Sequence, residues 1–266
     1  MSRPQGRFSE PERQAVYRAI FERRDVRRNF LPRPIPEAVM RRLLTAAHHA
    51  GSVGFMQPWD FVVIRKSATK RVVKRLFVEA NTEAARRYTG AKGDLYRRLK
   101  LEGIEEAPIN LCVTCSRRRG GRNVLGRSTV RATDLYSTCC AIQNLWLAAR
   151  AEGIGVGWVS ILDHEALKRV IGVPKSLTVL AYLCLGYVSK FEPAPDLETA
   201  GWRNRIPVDQ LIHYDAWGNQ SSDKERYGNA DYQGLYKNGR RGKDKTRGRG
   251  TGMEGQPSSR GVRYRR

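Results

Sequence analysis

Gly153-Ile154-Gly155-Val156-Gly157-Trp158 is the stretch whose reading decides the fold. Its alternating glycines look like a dinucleotide fingerprint, which needs strand, then glycines, then helix, so that a phosphate meets the helix N-terminus. Here the order is reversed. Thr133 to Glu152 is the most apolar helical run in the chain, carrying Tyr136, Cys140, Ile142, Leu145, Trp146 and Ala149, and it closes at Gly153. Val156 to Ile161 then reads as a strand. Topology therefore excludes a dinucleotide turn, and glycines within a strand instead let another group approach the backbone closely. Trp158 and Ser160 are left at a strand edge. Gly-Trp-Val-Ser-Ile is not a nucleophile elbow, and no His-Asp pair nearby in the sequence makes Ser160 a hydrolase nucleophile.

Outward from this point the chain alternates unevenly between strand and helix. Asp163 to Ile171 reads as a short helix capped by Asp163, and Leu177 to Cys184 as an uninterrupted buried strand. Upstream, Ile109 to Thr114 and Trp59 to Ile64 are strands, and Ser67 to Thr89 is an amphipathic helix with Val72, Val73, Leu76, Phe77 and Ala80 on its apolar stripe. Gly90 to Gly93 is expected to break that helix, and Asp94 to Ile104 to form a shorter lid-like piece. Ser116 to Gly126 is a basic, glycine-bearing loop expected to have little order. The sum is an α+β sheet with helices on both faces.

The N-terminal part supplies the charge. Ser9-Glu10-Pro11-Glu12 has capping-box spacing and opens a helix with Ala15, Val16, Ala19 and Ile20 on one face. That helix delivers Phe21-Glu-Arg-Arg-Asp-Val-Arg-Arg-Asn-Phe30, four arginines within six residues and one acid, Asp25, among them. Guanidinium forks match phosphate oxygens two at a time, and an acid aimed at the same ligand can move protons. A plainer reading leaves the arginines to complement the helix macrodipole, with Asp25 as an ion-pair partner. Pro32, Pro34 and Pro36 enforce an extended arm before a second helix that places Val39, Leu43, Leu44 and Ala47 inward. Gly51-Ser-Val-Gly-Phe-Met-Gln-Pro-Trp59 is a loop rich in side chains able to meet a planar heterocycle. Gly201-Trp-Arg-Asn-Arg205 is a second place where arginines could reach a phosphate.

Net charge is +23, from 49 Lys and Arg against 26 Asp and Glu, which suits anionic ligands. The excess is uneven. Residues 219–266 hold 13 basic and 5 acidic side chains, and with so few aliphatics they read as a disordered tail. No apolar run approaches a membrane span or a secretory signal, so the expected location is cytoplasmic, with no membrane partner. The five cysteines lie in apolar segments. Cys112 and Cys115 have redox or zinc spacing, but strand alternation sends their sulfurs to opposite faces, so no metal site is expected. The domain organisation read from this is an arm with the start of the first helix (1–16), a body (17–217) and a basic Gly/Arg-rich tail (218–266).

Arg23-Arg24-Asp25-Val26-Arg27, the loop Ser52 to Trp59, the run Leu99 to Ile104 and the segment Asn144 to Ser160, in that order, closely resemble the 5,6-dimethylbenzimidazole synthase (BluB) family. This is the flavin-consuming branch of the nitroreductase-like flavoproteins. The resemblance spans Tyr17 to Trp217, and Gln143 to Ile161 separates this branch from ordinary nitroreductases. It implies a nitroreductase-like FMN-binding sheet, a homodimer with the flavin at the subunit interface, and no nicotinamide site. It further implies that reduced FMN is the substrate, fragmented with O2 to 5,6-dimethylbenzimidazole, the lower ligand of vitamin B12 (cobalamin), and erythrose 4-phosphate. A separate NAD(P)H flavin reductase would supply the reduced FMN. On matching positions, Arg23, Arg24 and Arg27, with Arg203 or Arg205, would hold the phosphate and ribityl end. Ser52, Val53 and Gln57 would line the ring, with Leu101 and Gly157 also at the flavin and Tyr96 to Leu101 in a lid. Asp25 would be the acid/base near the ribityl carbons, and Ser160 a hydrogen-bond partner near the reactive edge of the ring. Gly51 and Ser116 depart from the family's usual proline and aspartate.

Two other readings compete. An NAD(P)H-dependent flavin or nitro reductase on the same fold has no need of an acid at Asp25. A binder of anionic polymers would act through the basic tail, where weak nonspecific nucleic-acid contact is expected.

Overall fold

The computed structural model describes residues 6–220, so the expectations for the tail beyond Gln220 lie outside the described residues. Residues up to Arg205 form one compact unit, and residues 206–220 belong to a second, in which a short 3-10 turn spans Val208–Leu211.

Four strands make one sheet: β1 (Trp59–Ile64), β2 (Ile109–Cys115), β3 (Ile154–Trp158) and β4 (Thr178–Tyr187), in the order β1-β2-β4-β3 with every neighbour antiparallel. Side chains alternate between two cores, as the period of two requires. Leu111, Val113, Ala181, Leu183, Leu185, Ile154 and Val156 face α2 (Glu37–His48) and α5 (Thr133–Ala151). Cys112, Tyr182, Cys184 and Ile64 face α3 (Ser67–Ala85) and α6 (His164–Ile171). Helices on both faces are thus present as the sequence implies. Cys112 and Cys115 fall on opposite faces of β2, the latter toward Thr138 of α5.

The local signals at helix ends are realised. In α1 (Glu10–Glu22) the Glu12 carboxylate accepts from the Ser9 N–H at 2.7 Å, and Asp163 caps α6 by accepting from the amides of Glu165 and Ala166 at 2.8 and 3.0 Å. Three expectations are corrected. Gly90 to Gly93 do not break a helix but form the first turn of α4 (Gly90–Arg98), since a Cβ on Gly93 would lie 2.6 Å from the Tyr88 carbonyl oxygen. That glycine serves a close approach, and the break falls in the residues just before α4. β3 starts at Ile154 rather than Val156, with its glycines inside the strand. The Ser116 to Gly126 loop is pinned, because Arg119 donates to the carbonyls of Gln57 and Trp59 at 3.0 and 2.8 Å and clasps both oxygens of Asp60 at 2.8 Å.

The residues after α1 are not helical, and part of the plainer reading holds there: Arg24 donates to the Phe21 carbonyl in the last turn of α1 at 2.8 Å, and Asp25 pairs with Arg27. These residues run as an arm along β3, the edge strand of the sheet. The Val26 N–H donates to the Val156 carbonyl at 2.9 Å, and farther on Leu31 donates to Tyr187 at 2.8 Å and Ser189 to Asn29 at 3.0 Å. The glycines of β3 make room for it. A Cβ on Gly157 would run into the Val26 carbonyl oxygen, and one on Gly155 would lie 2.7 Å from Val188 and 3.0 Å from the Val26 side chain.

Candidate functional site

Docking the arm on β3 sets the position of Asp25. Its Oδ1 accepts from the Trp158 N–H at 2.9 Å, and its Oδ2 pairs with Arg27 Nη2 at 2.5 Å. The carboxylate is therefore held from both sides yet stays about one-third exposed. Ser160 is exposed just beyond the end of β3, two residues past the amide that holds Asp25.

The arginines divide into those available to an anion and one that is not. Arg27 is nearly buried, and its Nε and Nη1 have no protein partner. It lines a cavity of about 500 Å³ with Arg28, Arg98, Leu99, Lys100 and the 192–200 segment. Arg23 lies over the Trp146 ring, 4.7 Å from its centroid. Burial pushes the Arg23 guanidinium below its ordinary pKa, Asp25 opposes that, and the like charge of Arg205 adds to it. Arg24 is lowered by burial and then by Arg23 and Arg205. The charge of Arg205 is thus felt at both Arg23 and Arg24, and Arg203 and Arg205 are both exposed. Arg24 is engaged by the backbone. It donates to the carbonyls of Glu192 at 2.9 Å, Phe21 and Arg23 at 2.8 Å, and Pro193 at 2.6 Å. Four of its five N–H groups are thus engaged, two of them tying the 192–193 segment to the arm and two bonding nearby carbonyls.

The remaining expected residues lie elsewhere. Ser52 Oγ accepts from the Gln57 N–H at 3.1 Å, and Val53 N–H donates to Ser137 Oγ at 3.2 Å. Phe55 and Gln57 hold positive φ of 51° and 45°, a strained backbone in a loop whose Phe55 is 82% exposed. This loop sits at the Ser137 end of α5, while Arg24 is tied through its carbonyl to Trp146 Nε1 (3.2 Å), nine residues along the same helix. At 1.5 Å per residue the two attachment points are roughly 13 Å apart. Leu101 packs half-buried in the core beside Ile104, in the turn that lies against Phe30 of the arm. Gly157 acts as the seat of Val26.

Trp146, read from the sequence as core, is buried and also donates through its Nε1 to the Arg24 carbonyl, whereas sequence reasoning missed Arg150, which pairs with Glu22 at 2.6 Å and closes the end of α1. It also missed Ser137, whose hydroxyl donates to Thr133 and fixes the Ser52 loop. Among the described residues no group of His, Cys, Asp and Glu could hold a metal ion, and no helix is long and apolar enough to cross a membrane.

The profile of the Nitroreductase family matches residues 20–187. A 5,6-dimethylbenzimidazole synthase of Rhodospirillum rubrum is 43% identical over 190 residues, covering 71% of this chain and 90% of that protein. One of Rhodobacter capsulatus is 38% identical over 202 residues, covering 76% and 97%. The crystal structure of iodotyrosine deiodinase bound to FMN and 3-iodo-L-tyrosine superposes with a TM-score of 0.61 at 20% identity, covering 76% of this chain and all of that one, which shows the shared fold. With that agreement between sheet, arm and sequence, the chain belongs to the nitroreductase family, on the branch of the 5,6-dimethylbenzimidazole synthases.

Proposed function

We propose that this chain makes 5,6-dimethylbenzimidazole by O2-dependent fragmentation of reduced FMN, which also releases erythrose 4-phosphate and the remainder of the pyrimidine ring. The observation that carries the reading is Asp25, a carboxylate fixed by a backbone amide and an arginine amid cations. The orphaned Nε and Nη1 of Arg27 and the mutual repulsion of Arg23, Arg24 and Arg205 fit a flavin phosphate, a dianion that would satisfy several guanidiniums. When bound, the reduced flavin supplies the electrons taken up by oxygen and the carbon atoms of the products.

The protein's part is positioning and proton movement. Arg27, Arg23 and Arg205 hold the phosphate end, while Asp25, within reach of the sugar chain, accepts a proton from a ribityl carbon. The Trp158 N–H and Arg27 keep that carboxylate aimed, so no reorientation is needed when the proton moves. The Ser160 hydroxyl donates near the reactive edge of the ring. The turn bearing Leu101 keeps bulk water from the site.

The ring-lining loop, Ser52, Val53 and Gln57, comes from a second copy of the chain. This is supported by its position at the far end of α5 and by the apolar surface around it. Phe55, Leu125 and Tyr136 are 82%, 84% and 59% exposed, and α1 buries none of its residues. A separate flavin reductase supplies the substrate.

The test is to mix the protein anaerobically with chemically reduced FMN, admit air, and follow products by ultraviolet absorbance and mass. A benzimidazole at the expense of flavin supports the reading. Flavin recovered intact together with rapid NADPH oxidation overturns it in favour of an ordinary flavin or nitro reductase.

A further inference from the structure

The loop between β2 and α5 frames a cavity of about 870 Å³ that the proposed chemistry does not use. Five arginines line it, Arg117, Arg118, Arg122, Arg127 and Arg131, with Ser128 as its one hydroxyl. Its lining has no carboxylate, whereas the cavity beside Arg27 includes Glu192 and Asp196 and the one beside β1 includes Glu37 and Asp60. Residues 116–132 contain no Asp or Glu at all.

Two of these guanidiniums are pre-set. Asp134, fully buried at the start of α5, takes Arg117 Nε at 3.2 Å and Arg127 Nη2 at 3.1 Å. Arg117 also donates to the Arg131 carbonyl at 2.9 Å, and Arg127 to the Arg117 carbonyl. Arg118, Arg122 and Arg131 are exposed and have no acidic partner among the described residues. A buried acid thus organises the floor of the site while the rim keeps its charge.

We propose that this cavity is a second anion site, for a small molecule bearing two or more linked phosphate groups. The charge count selects that class. Five guanidiniums against the single carboxylate of Asp134 leave four positive charges uncompensated. A monophosphate, with close to two negative charges, neutralises half of them, whereas a diphosphate or triphosphate approaches a match. The volume falls within the range of small-molecule pockets. The guanidiniums converge on one concavity rather than forming a stripe, which favours a compact polyanion over a polymer backbone.

The test is calorimetric titration of the full-length protein with ADP, inorganic pyrophosphate and inorganic phosphate at about 0.15 M salt, with saturating FMN present. Pyrophosphate should bind at least about tenfold more tightly than phosphate, and the double variant Arg122→Ser/Arg131→Ser should weaken it about tenfold or more. Both positions are exposed and unpaired, so the fold and the turnover of reduced FMN should be unchanged. The basic residues beyond 220 are common to both proteins and cancel in the comparison. ADP binding tighter than pyrophosphate assigns a nucleoside diphosphate, and equal binding assigns the phosphate groups alone. Equal affinity of variant and parent, absence of binding while FMN is bound, or tighter binding of a single-stranded oligonucleotide with the same loss in the variant would each overturn the proposal.

Discussion

At the scale of single residues, three neighbours in the chain have three different tasks. Asp25 faces an amide and a guanidinium and remains partly open, the position of a group that can exchange a proton with a ligand. Asp25→Asn preserves shape but cannot accept that proton. Flavin affinity should persist while the rate of benzimidazole formation falls about 10²–10⁴-fold. Loss of affinity in step with rate, measured by fluorescence titration, would assign Asp25 to scaffolding instead. Arg24 and Arg27 should separate in the opposite sense. Arg24→Ala leaves four carbonyls without their donor and should lower the melting temperature with little change in KM for reduced FMN. Arg27→Ala removes a cation from the wall of the cavity and should raise KM for reduced FMN more than for reduced riboflavin, which lacks the phosphate.

At the scale of elements, the arm and β3 act as one unit. Any side chain at Gly157 meets the Val26 backbone, so Gly157→Ala must push the arm off the strand and displace Asp25 with it. Overpacking of this kind costs about 1–3 kcal/mol. At roughly 2–4 °C per kcal/mol for a domain of this size, melting should drop by several degrees. Turnover should fall further than stability alone explains, and unchanged turnover would detach the arm from the chemistry. The turn after α4 has its own anchor in Glu102, 3% exposed, paired with Lys74 at 2.5 Å and Lys100 at 3.0 Å. Burial alone would raise its pKa, but hydrogen bonds from Lys74, the Ile104 N–H and Lys100 outweigh it, and the net shift is downward. A lowered folded pKa contributes stability above the unfolded value, about 4.3, and that contribution is lost as pH falls through the folded one. The melting gap between the parent and Glu102→Gln should therefore be widest near neutrality and begin to narrow as pH falls below the unfolded value, about 4.3. A gap independent of pH would mean that packing rather than charge anchors the turn.

At the scale of the whole molecule, the two ends of α5 pose the question of completeness. Asp25 and the cations gather near Trp146, the strained Ser52 loop near Ser137, and exposed apolar side chains surround the latter. A homodimer that joins the two halves accounts for all three. Tyr136→Asp places a charge on that surface while leaving the arm untouched. It should shift the mass in solution from dimer to monomer and abolish flavin binding together, as read by light scattering and fluorescence titration. A monomer that binds flavin as well as the parent would show that one chain holds a complete site.

What the sequence by itself determined is whatever depends on near neighbours. The apolar period of Thr133 to Ala151, the alternation in β2, the caps Ser9 and Asp163, and the helix-glycine-strand order at Gly153 all follow from residues a few positions apart. The acid among arginines was legible as composition, and so was its likeness to a family motif. Which arginine does what was not. Two donors of Arg24 go to carbonyls about 168 positions away, the charge of Arg205 is felt at Arg23 across the chain, and Arg117 and Arg127 meet on a buried Asp134. Gly93 reads locally as a breaker, yet packing against Tyr88 makes it part of a helix. The physical reason is the same in each case. Backbone periodicity is set by local sterics and by which face is buried, whereas a long charged side chain takes whatever partner the assembled fold brings within about 3 Å.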